Sequence, residues 1–224
     1  MRELKIRCSA LGRIMTEPKS KTEGDLSVGA KTYIREIAAQ DLFGVTFEVS
    51  DKKLEKGMAV EGDSIELVNS VRGWAMTKNT ERRSNEWVTG EADCWDEASR
   101  RGCDVKSAWS LQTFPISADD VEASQRRMYE WQMIGYCWLW DAECWSVEYA
   151  MVDTPEHLIG YEPLALHVVS HIPAHLRLTG WTVTRDRAKE DAIRVKVEAA
   201  REYYARVISE FDRTHAEPVH TADQ

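Results

Sequence analysis

The spacing of apolar residues changes partway along this chain, and that change limits the fold more than any other feature. From Ala30 to Phe43, and again from Leu54 to Val71, apolar residues recur every three or four positions. This spacing predicts two helices. From Glu86 to Trp95 and from Gly102 to Ser110, apolar and polar residues alternate around the polar segment "DEASRRG". That pattern predicts two strands joined as a hairpin.

The C-terminal half again mixes the two kinds of element. Helices are predicted over Val121–Trp140 and Asp186–Phe211, and strands over Glu143–Val152, Ala165–His171 and Leu178–Thr184. A short helix is expected from Ser9 to Met15. This order indicates an α/β fold with a mixed β-sheet flanked by helices. The length of 224 residues suits one domain, which we predict over residues 1–214 with a disordered tail over 215–224.

Composition restricts the function classes. The net charge of −9 weighs against a broad nucleic-acid-binding surface, although it leaves room for a local basic groove. The five cysteines are scattered without a Cys-x-x-Cys pair, which argues against zinc or iron–sulfur sites and indicates a reducing compartment. There is no apolar run of the roughly 20 residues that a membrane span needs, and the N-terminus is too charged for a signal peptide. A soluble cytoplasmic protein is expected.

An acid and a base lie two residues apart in "GCDVKSAWS". Side chains alternate along a strand, so Asp104 and Lys106 share one face. A surface ion pair is the ordinary explanation, and the same acid-x-Lys spacing occurs at three other places in the chain. The predicted hairpin adds Asp93 to the same spot. Two carboxylates held close together are normally tolerated only with a cation between them, and hard oxygen ligands suit Mg²⁺ or Mn²⁺.

Two helices supply further candidates. Glu61 lies on the second predicted helix, where Glu66 is its main rival as a ligand. Gln132 and Tyr136 lie one turn apart on one face of the helix over Val121–Trp140. Each of these residues could instead be an ordinary helix residue, so the interpretation depends on their order along the chain.

That order resembles a known superfamily. The motif order is similar to that of the PD-(D/E)xK nucleases: it runs Glu61, Asp93, Asp104-Val105-Lys106 and Gln132-x-x-x-Tyr136. The last element resembles the RecB-type branch of that superfamily. The length and the opening "RCSALGRIM" resemble the phage exonucleases of the lambda exonuclease (YqaJ) group. Two positions depart from the pattern. Glu-Ala-Asp stands where Pro-Asp is usual, and position 104 is Asp where this branch more often has Glu, so its carboxylate reaches less far.

The resemblance implies a restriction-endonuclease-like core and a role for each matching residue. Asp93 and Asp104, assisted by the Val105 carbonyl, would bind the metal, and Glu61 would bind a second one, so that one or two Mg²⁺ or Mn²⁺ ions are held. Lys106 would orient or activate the attacking water. Gln132 would position Lys106 or the phosphate, and Tyr136 would brace that network.

Three more residues are candidates for substrate contact. Ser9 matches a serine near the start of the lambda-type exonucleases that helps to hold a terminal phosphate. A serine at such a position is more often a helix cap. Arg126 and Arg127 could contact the DNA backbone.

The implied function is a Mg²⁺-dependent exonuclease that hydrolyses phosphodiester bonds at duplex DNA ends in phage recombination or DNA processing. It would act in the host cytoplasm if it is phage-encoded. The expected assembly is a ring-shaped homo-trimer, and the expected partner is a single-strand-annealing recombinase. Two alternatives stay open. One is an endonuclease on the same fold, and the other is a catalytically inactive module that binds DNA ends or a partner protein.

Overall fold

The structure, a computed structural model, describes residues 3–47 and 51–216. Within these ranges the α-helices are α1 (Leu11–Ile14), α2 (Val28–Phe43), α3 (Lys52–Ala59), α4 (Glu61–Arg72), α5 (Ala123–Trp140), α6 (Glu156–Ile159) and α7 (Arg187–His215). The strands are β1 (Ile6–Arg7), β2 (Arg82–Ser84), β3 (Val88–Glu91), β4 (Cys94–Asp96), β5 (Arg101–Ser107), β6 (Cys144–Ala150) and β7 (Leu178–Thr184). None of the helices in the described ranges is both long enough and apolar enough to cross a membrane.

The strands form two mixed sheets. The first has the order β1-β3-β2, with β1 parallel and β2 antiparallel to β3. The second has the order β4-β5-β6-β7, in which only β5 and β6 are parallel. The helix α5 connects β5 to β6 and packs on both β6 and β3, because parallel neighbours need a crossover connection. The expected α/β class with a mixed sheet flanked by helices is therefore confirmed.

The main core lies between these sheets and the helices α1, α2, α5 and α7. Each of the long helices buries a stripe of apolar residues, as its sequence period predicts; α2, for example, buries Tyr33, Ile34 and Ile37. At Gly135 of α5 an added Cβ would lie 2.7 Å from the Cys8 Sγ. This glycine therefore lets α5 approach the N-terminal segment that carries Ser9.

Several element predictions need correction. The single helix predicted over Leu54–Val71 is broken at Val60, whose φ of −113° and ψ of 15° end α3 and precede α4. The strand predicted over Ala165–His171 is wrong: Leu164–Leu166 form a 3-10 turn and the rest is irregular. The predicted tail begins too early, since α7 extends to His215, and residues 217–224 lie outside the described ranges.

The predicted hairpin is correct in its pairing and wrong in its length. The pairing of β4 with β5 places Cys94 opposite Cys103 and Trp95 opposite Gly102. The turn after Asp96 contains Arg100, whose φ of 50° is left-handed. However, the strand predicted over Glu86–Trp95 is divided between the two sheets, with β3 in one and β4 in the other. Asp93 lies at that junction.

Candidate active site

Asp93 and Asp104 meet because of the hairpin register. Continuing the pairing of β4 with β5 by one residue beyond Cys94–Cys103 brings these two aspartates opposite each other. Residues directly opposite in an antiparallel pair project to the same side of the sheet. The Asp93 Oδ2 atom accepts a hydrogen bond of 2.7 Å from the backbone N–H of Val105, which fixes its carboxylate beside β5.

Asp104 is buried and only partly satisfied. It is 1% exposed, and its Oδ1 accepts a 2.8 Å hydrogen bond from Gln132 Nε2. Its Oδ2 pairs with the ammonium of Lys106 at 2.5 Å. A carboxylate oxygen has two lone pairs, so this buried oxygen retains capacity for a further electropositive partner.

The helix α5 supports the site from behind. The Gln132 amide also donates to the Tyr136 hydroxyl at 3.1 Å, and that hydroxyl donates to the Glu91 carbonyl at 3.1 Å. Both side chains are buried. The ring of Tyr136 lies against Gly90, where a Cβ would approach it to 2.9 Å. The spacing of four residues on α5 thus links β3 to Asp104 through one chain of hydrogen bonds.

The electrostatics of the pair are unusual for carboxylates. Burial, together with the neighbouring carboxylate of Asp104, raises the pKa of Asp93 from 3.8 to about 7, while Lys106 acts in the opposite direction. Burial alone would lower the pKa of Lys106, but the carboxylates of Asp104 and Asp93 outweigh it and raise that pKa above its ordinary value. Lys106 is therefore a cation at neutral pH, and its ammonium also lies 5.3 Å from the centre of the Tyr129 ring.

The site opens into a cleft of about 780 Å³. Glu61, Asp93, Val105 and Lys106 line it, whereas Asp104, Gln132 and Tyr136 lie behind this lining. Glu66 is exposed and lies outside the cleft, so of the two rival glutamates Glu61 is the one beside the aspartates.

The carboxylate of Glu61 is paired with a lysine. It forms an ion pair of 2.5 Å with Lys78, a residue that sequence reasoning missed and for which the sequence carries no signal. Within residues 3–47 and 51–216, no three His, Cys, Asp or Glu side chains are close enough together to hold a metal ion as they stand. Binding of a metal by Glu61 would therefore require the Lys78 pair to open.

Three candidate substrate residues lie away from the cleft lining. Ser9 is exposed in the 3-10 turn Cys8–Ala10 ahead of α1, and the N-cap of α1 is Ala10, so Ser9 is not its cap. Arg126 pairs with Asp119 at 2.8 Å. Arg126 and Arg127 both face a second groove on the other side of α5.

Two aromatic residues of the cleft were missed by sequence reasoning. Tyr129 and Tyr149 line it, and their hydroxyls are 3.3 Å apart. Tyr129 lies seven residues before Tyr136, two turns along the same face of α5, so helical spacing could have identified it.

Comparison with known proteins agrees with this geometry. The sequence matches no protein-family model and no curated protein. Among solved structures it is similar to a phage-related exonuclease from Haemophilus somnus 129PT, with 37% identity, a TM-score of 0.86, and coverage of 94% of this chain and 97% of that one. It also shares the fold of an alkaline exonuclease, LHK-Exo, from Laribacter hongkongensis, at 14% identity and a TM-score of 0.64, with 94% and 92% of the two chains covered. A second LHK-Exo structure, in complex with dAMP, gives a TM-score of 0.62.

An identity of 37% over nearly the full length of both chains is sufficient to assign a family. Together with the carboxylate and lysine arrangement on β5, it places the protein in the PD-(D/E)xK class of nucleases. Within that class, the chain belongs to the lambda exonuclease (YqaJ) type family of phage-related exonucleases.

Proposed function

We propose that this protein is a divalent-metal-dependent exonuclease that hydrolyses phosphodiester bonds at the ends of duplex DNA. The observation that carries the proposal is the convergence of two carboxylates and a lysine at one place: the buried Asp104 lies opposite Asp93 in the hairpin and pairs with Lys106 at 2.5 Å. The family supports the same reaction, and the dAMP bound by LHK-Exo belongs to the class of product that an exonuclease releases.

The residues present fit a bound cation. Four carboxylates line the cleft, those of Glu61, Asp93, Asp120 and Glu122, against two lysines. A lining of net negative charge repels a polyanion unless a cation neutralises it. The oxygen donors of Asp93, Asp104 and the Val105 carbonyl would hold Mg²⁺ or Mn²⁺, and Glu61 would join them on leaving Lys78. Such a cation supplies Lewis-acid activation of the phosphodiester and of water.

The protein's own residues would orient the reactants. Lys106, held as a cation by two carboxylates, would donate hydrogen bonds to the attacking water and offset charge that develops on the phosphate. Gln132 keeps the Asp104 carboxylate in one orientation, and Tyr136 keeps Gln132 in place.

The test is hydrolysis of linear duplex DNA and of covalently closed circles of the same sequence in Mg²⁺, with EDTA as control. Linear DNA should be degraded from its ends and circles should stay intact. Rapid cutting of circles would show that the protein is an endonuclease. A wild-type protein that binds DNA ends without hydrolysis in Mg²⁺ or Mn²⁺ would indicate the inactive binding module.

Three further expectations accompany the proposal. A phage role in recombination or DNA processing, a ring-shaped homo-trimer and a single-strand-annealing partner stay predictions of the family resemblance. Light scattering of the purified protein tests the trimer, because a monomer at assay concentration would exclude the ring.

A further inference from the structure

Lys56 is a buried charge beside the cleft that the proposed reaction does not use. Its side chain is 0% exposed, although its neighbours Lys52, Lys53 and Glu55 on α3 are all exposed. Its ammonium donates to three backbone carbonyls, those of Ala108 at 2.6 Å, Trp109 at 3.1 Å and Val152 at 3.1 Å. An ammonium has three donors, so every one of them is used.

These carbonyls belong to segments that carry the site. Ala108 and Trp109 directly follow β5, two and three residues after Lys106. Val152 follows β6, the parallel neighbour of β5. Parallel strands end at the same edge of a sheet, and the ammonium of Lys56 joins these two ends.

The other side of the connection is the helix pair α3 and α4. Leu54, Gly57 and Met58 of α3 line the cleft, and Glu61 is the first residue of α4. Lys56 therefore ties the wall that carries Glu61 to the strand that carries Lys106. Trp109, which also lines the cleft, is held further by Thr154, whose hydroxyl donates to the Trp109 carbonyl at 3.2 Å.

The charge of Lys56 has a cost at this buried position. Burial lowers the pKa of Lys56 to about 8, although Asp153 acts in the opposite direction. Keeping the ammonium charged at neutral pH therefore costs stability, which offsets part of what its three hydrogen bonds to buried carbonyls contribute.

We propose that Lys56 is a positioning residue of this nuclease: its ammonium sets the separation across the cleft between Lys106 on β5 and Glu61 on α4. The inference rests on the proposed function, because it assigns Lys56 a part in the reaction. Lys56 does not touch the reacting atoms. It acts through the backbone of Ala108 and Trp109.

The experiment compares Lys56→Met, Lys56→Arg and the control Lys52→Met, which changes an exposed lysine on the same helix outside the cleft lining. On linear duplex DNA in Mg²⁺, Lys56→Met should lower kcat roughly 10- to 100-fold, the cost of small misplacements of reacting groups. KM for DNA should stay within about twofold of wild type, since uniform substrate binding is not altered. Lys56→Arg, which keeps the charge, should recover most of kcat, and Lys52→Met should match wild type.

A second readout does not depend on turnover. Calorimetry with Mn²⁺ in the absence of DNA should show weaker binding to Lys56→Met than to wild type or Lys52→Met. All assays are run well below the melting temperature of each variant. If Lys56→Met does not fold, Lys56→Gln, which keeps donors without the charge, takes its place.

The outcomes distinguish failure of the positioning role of Lys56 from failure of the proposed nuclease function. A folded, less stable Lys56→Met with wild-type kcat and wild-type Mn²⁺ affinity would show a structural role and overturn the inference alone. A wild-type protein that binds Mn²⁺ but does not cleave DNA would remove the proposed function, while the calorimetry would still decide whether Lys56 positions the site. Absence of both cleavage and Mn²⁺ binding in wild type would overturn both.

Discussion

Replacing Asp93 by Asn should stabilise the metal-free protein, and the gain should grow as the pH rises. The pKa of Asp93 is raised from 3.8 to about 7 by burial and by Asp104. Between these two values the unfolded chain has lost the proton that the folded protein still binds. The free energy of unfolding therefore falls as the pH rises through this window and levels off above pH 7.

The pKa difference sets the magnitude. About 3 units correspond to about 4 kcal/mol over the whole window. This value is an upper limit, because Asp93 is partly exposed and water screens part of the repulsion. The assay begins at pH 5, so only the range from pH 5 to about pH 7 contributes, which is about 2 pH units. Between pH 5 and pH 8 the free energy of unfolding of wild type should therefore fall by roughly 2 kcal/mol relative to that of Asp93→Asn.

The assay is urea unfolding in EDTA at half-unit steps from pH 5 to pH 8.5, followed by the fluorescence of the nine tryptophans. Asp63→Asn, at an exposed position on α4, is the matched control and should follow the wild-type curve. If the stability difference between Asp93→Asn and wild type is the same at pH 5 and at pH 8, the raised pKa of Asp93 is wrong. A separate measurement at pH 7.5 adds Mn²⁺ in place of EDTA. Mn²⁺ should stabilise wild type much more than Asp93→Asn, because Asp93 is a proposed ligand.

Three further substitutions test the roles of individual residues. Lys106→Met should abolish cleavage and, in EDTA, cost about 3 kcal/mol of stability because Asp104 is left buried without a cation; turnover near the wild-type rate would remove Lys106 from the mechanism. Gln132→Ala should lower kcat roughly 100-fold and cost about 2 kcal/mol of stability, since Asp104 loses a charge-assisted hydrogen bond; unchanged kcat below the melting temperature would make Gln132 purely structural. Ser9→Ala should slow the degradation of terminally phosphorylated duplex towards the rate of dephosphorylated duplex, and an equal effect on both substrates would exclude a phosphate contact.

Much of the fold follows from local patterns. The helices α2, α5 and α7 were predicted from their apolar periodicity within a few residues, because each buries one stripe against the core. The break at Val60 was missed because apolar spacing continues across it, and only the changed backbone angles separate α3 from α4. The strand over Ala165–His171 was wrong because a short apolar run does not distinguish a strand from an irregular buried segment.

The candidate site was predictable where chemistry and spacing coincide. Asp104, Lys106 and the pair on α5 lie in regular elements, so counting residues places them on the correct faces. Lys56 and Lys78 could not be found in this way. Lysine is almost never fully buried, and in the charged segment "KKLEKGMA" of α3 nothing marks the third lysine as the one that enters the protein.

The position of Asp93 depends on contacts that are distant in sequence. Alternation continues through Glu86–Trp95, yet β3 leaves for the other sheet because β1, more than 80 residues earlier, pairs with it. At this break a single residue pairs the carbonyls of residues 92 and 93: the Asn79 side chain donates to the Ala92 carbonyl at 2.9 Å, and its backbone N–H donates to the Asp93 carbonyl at 2.7 Å. Buried backbone groups must be paired, so Asn79 makes the break between the sheets tolerable. The acidic pair thus arises where the predicted strand is divided between the two sheets. The hairpin pattern predicted that Asp93 lies near Asp104, but it did not predict the junction that holds Asp93 in place.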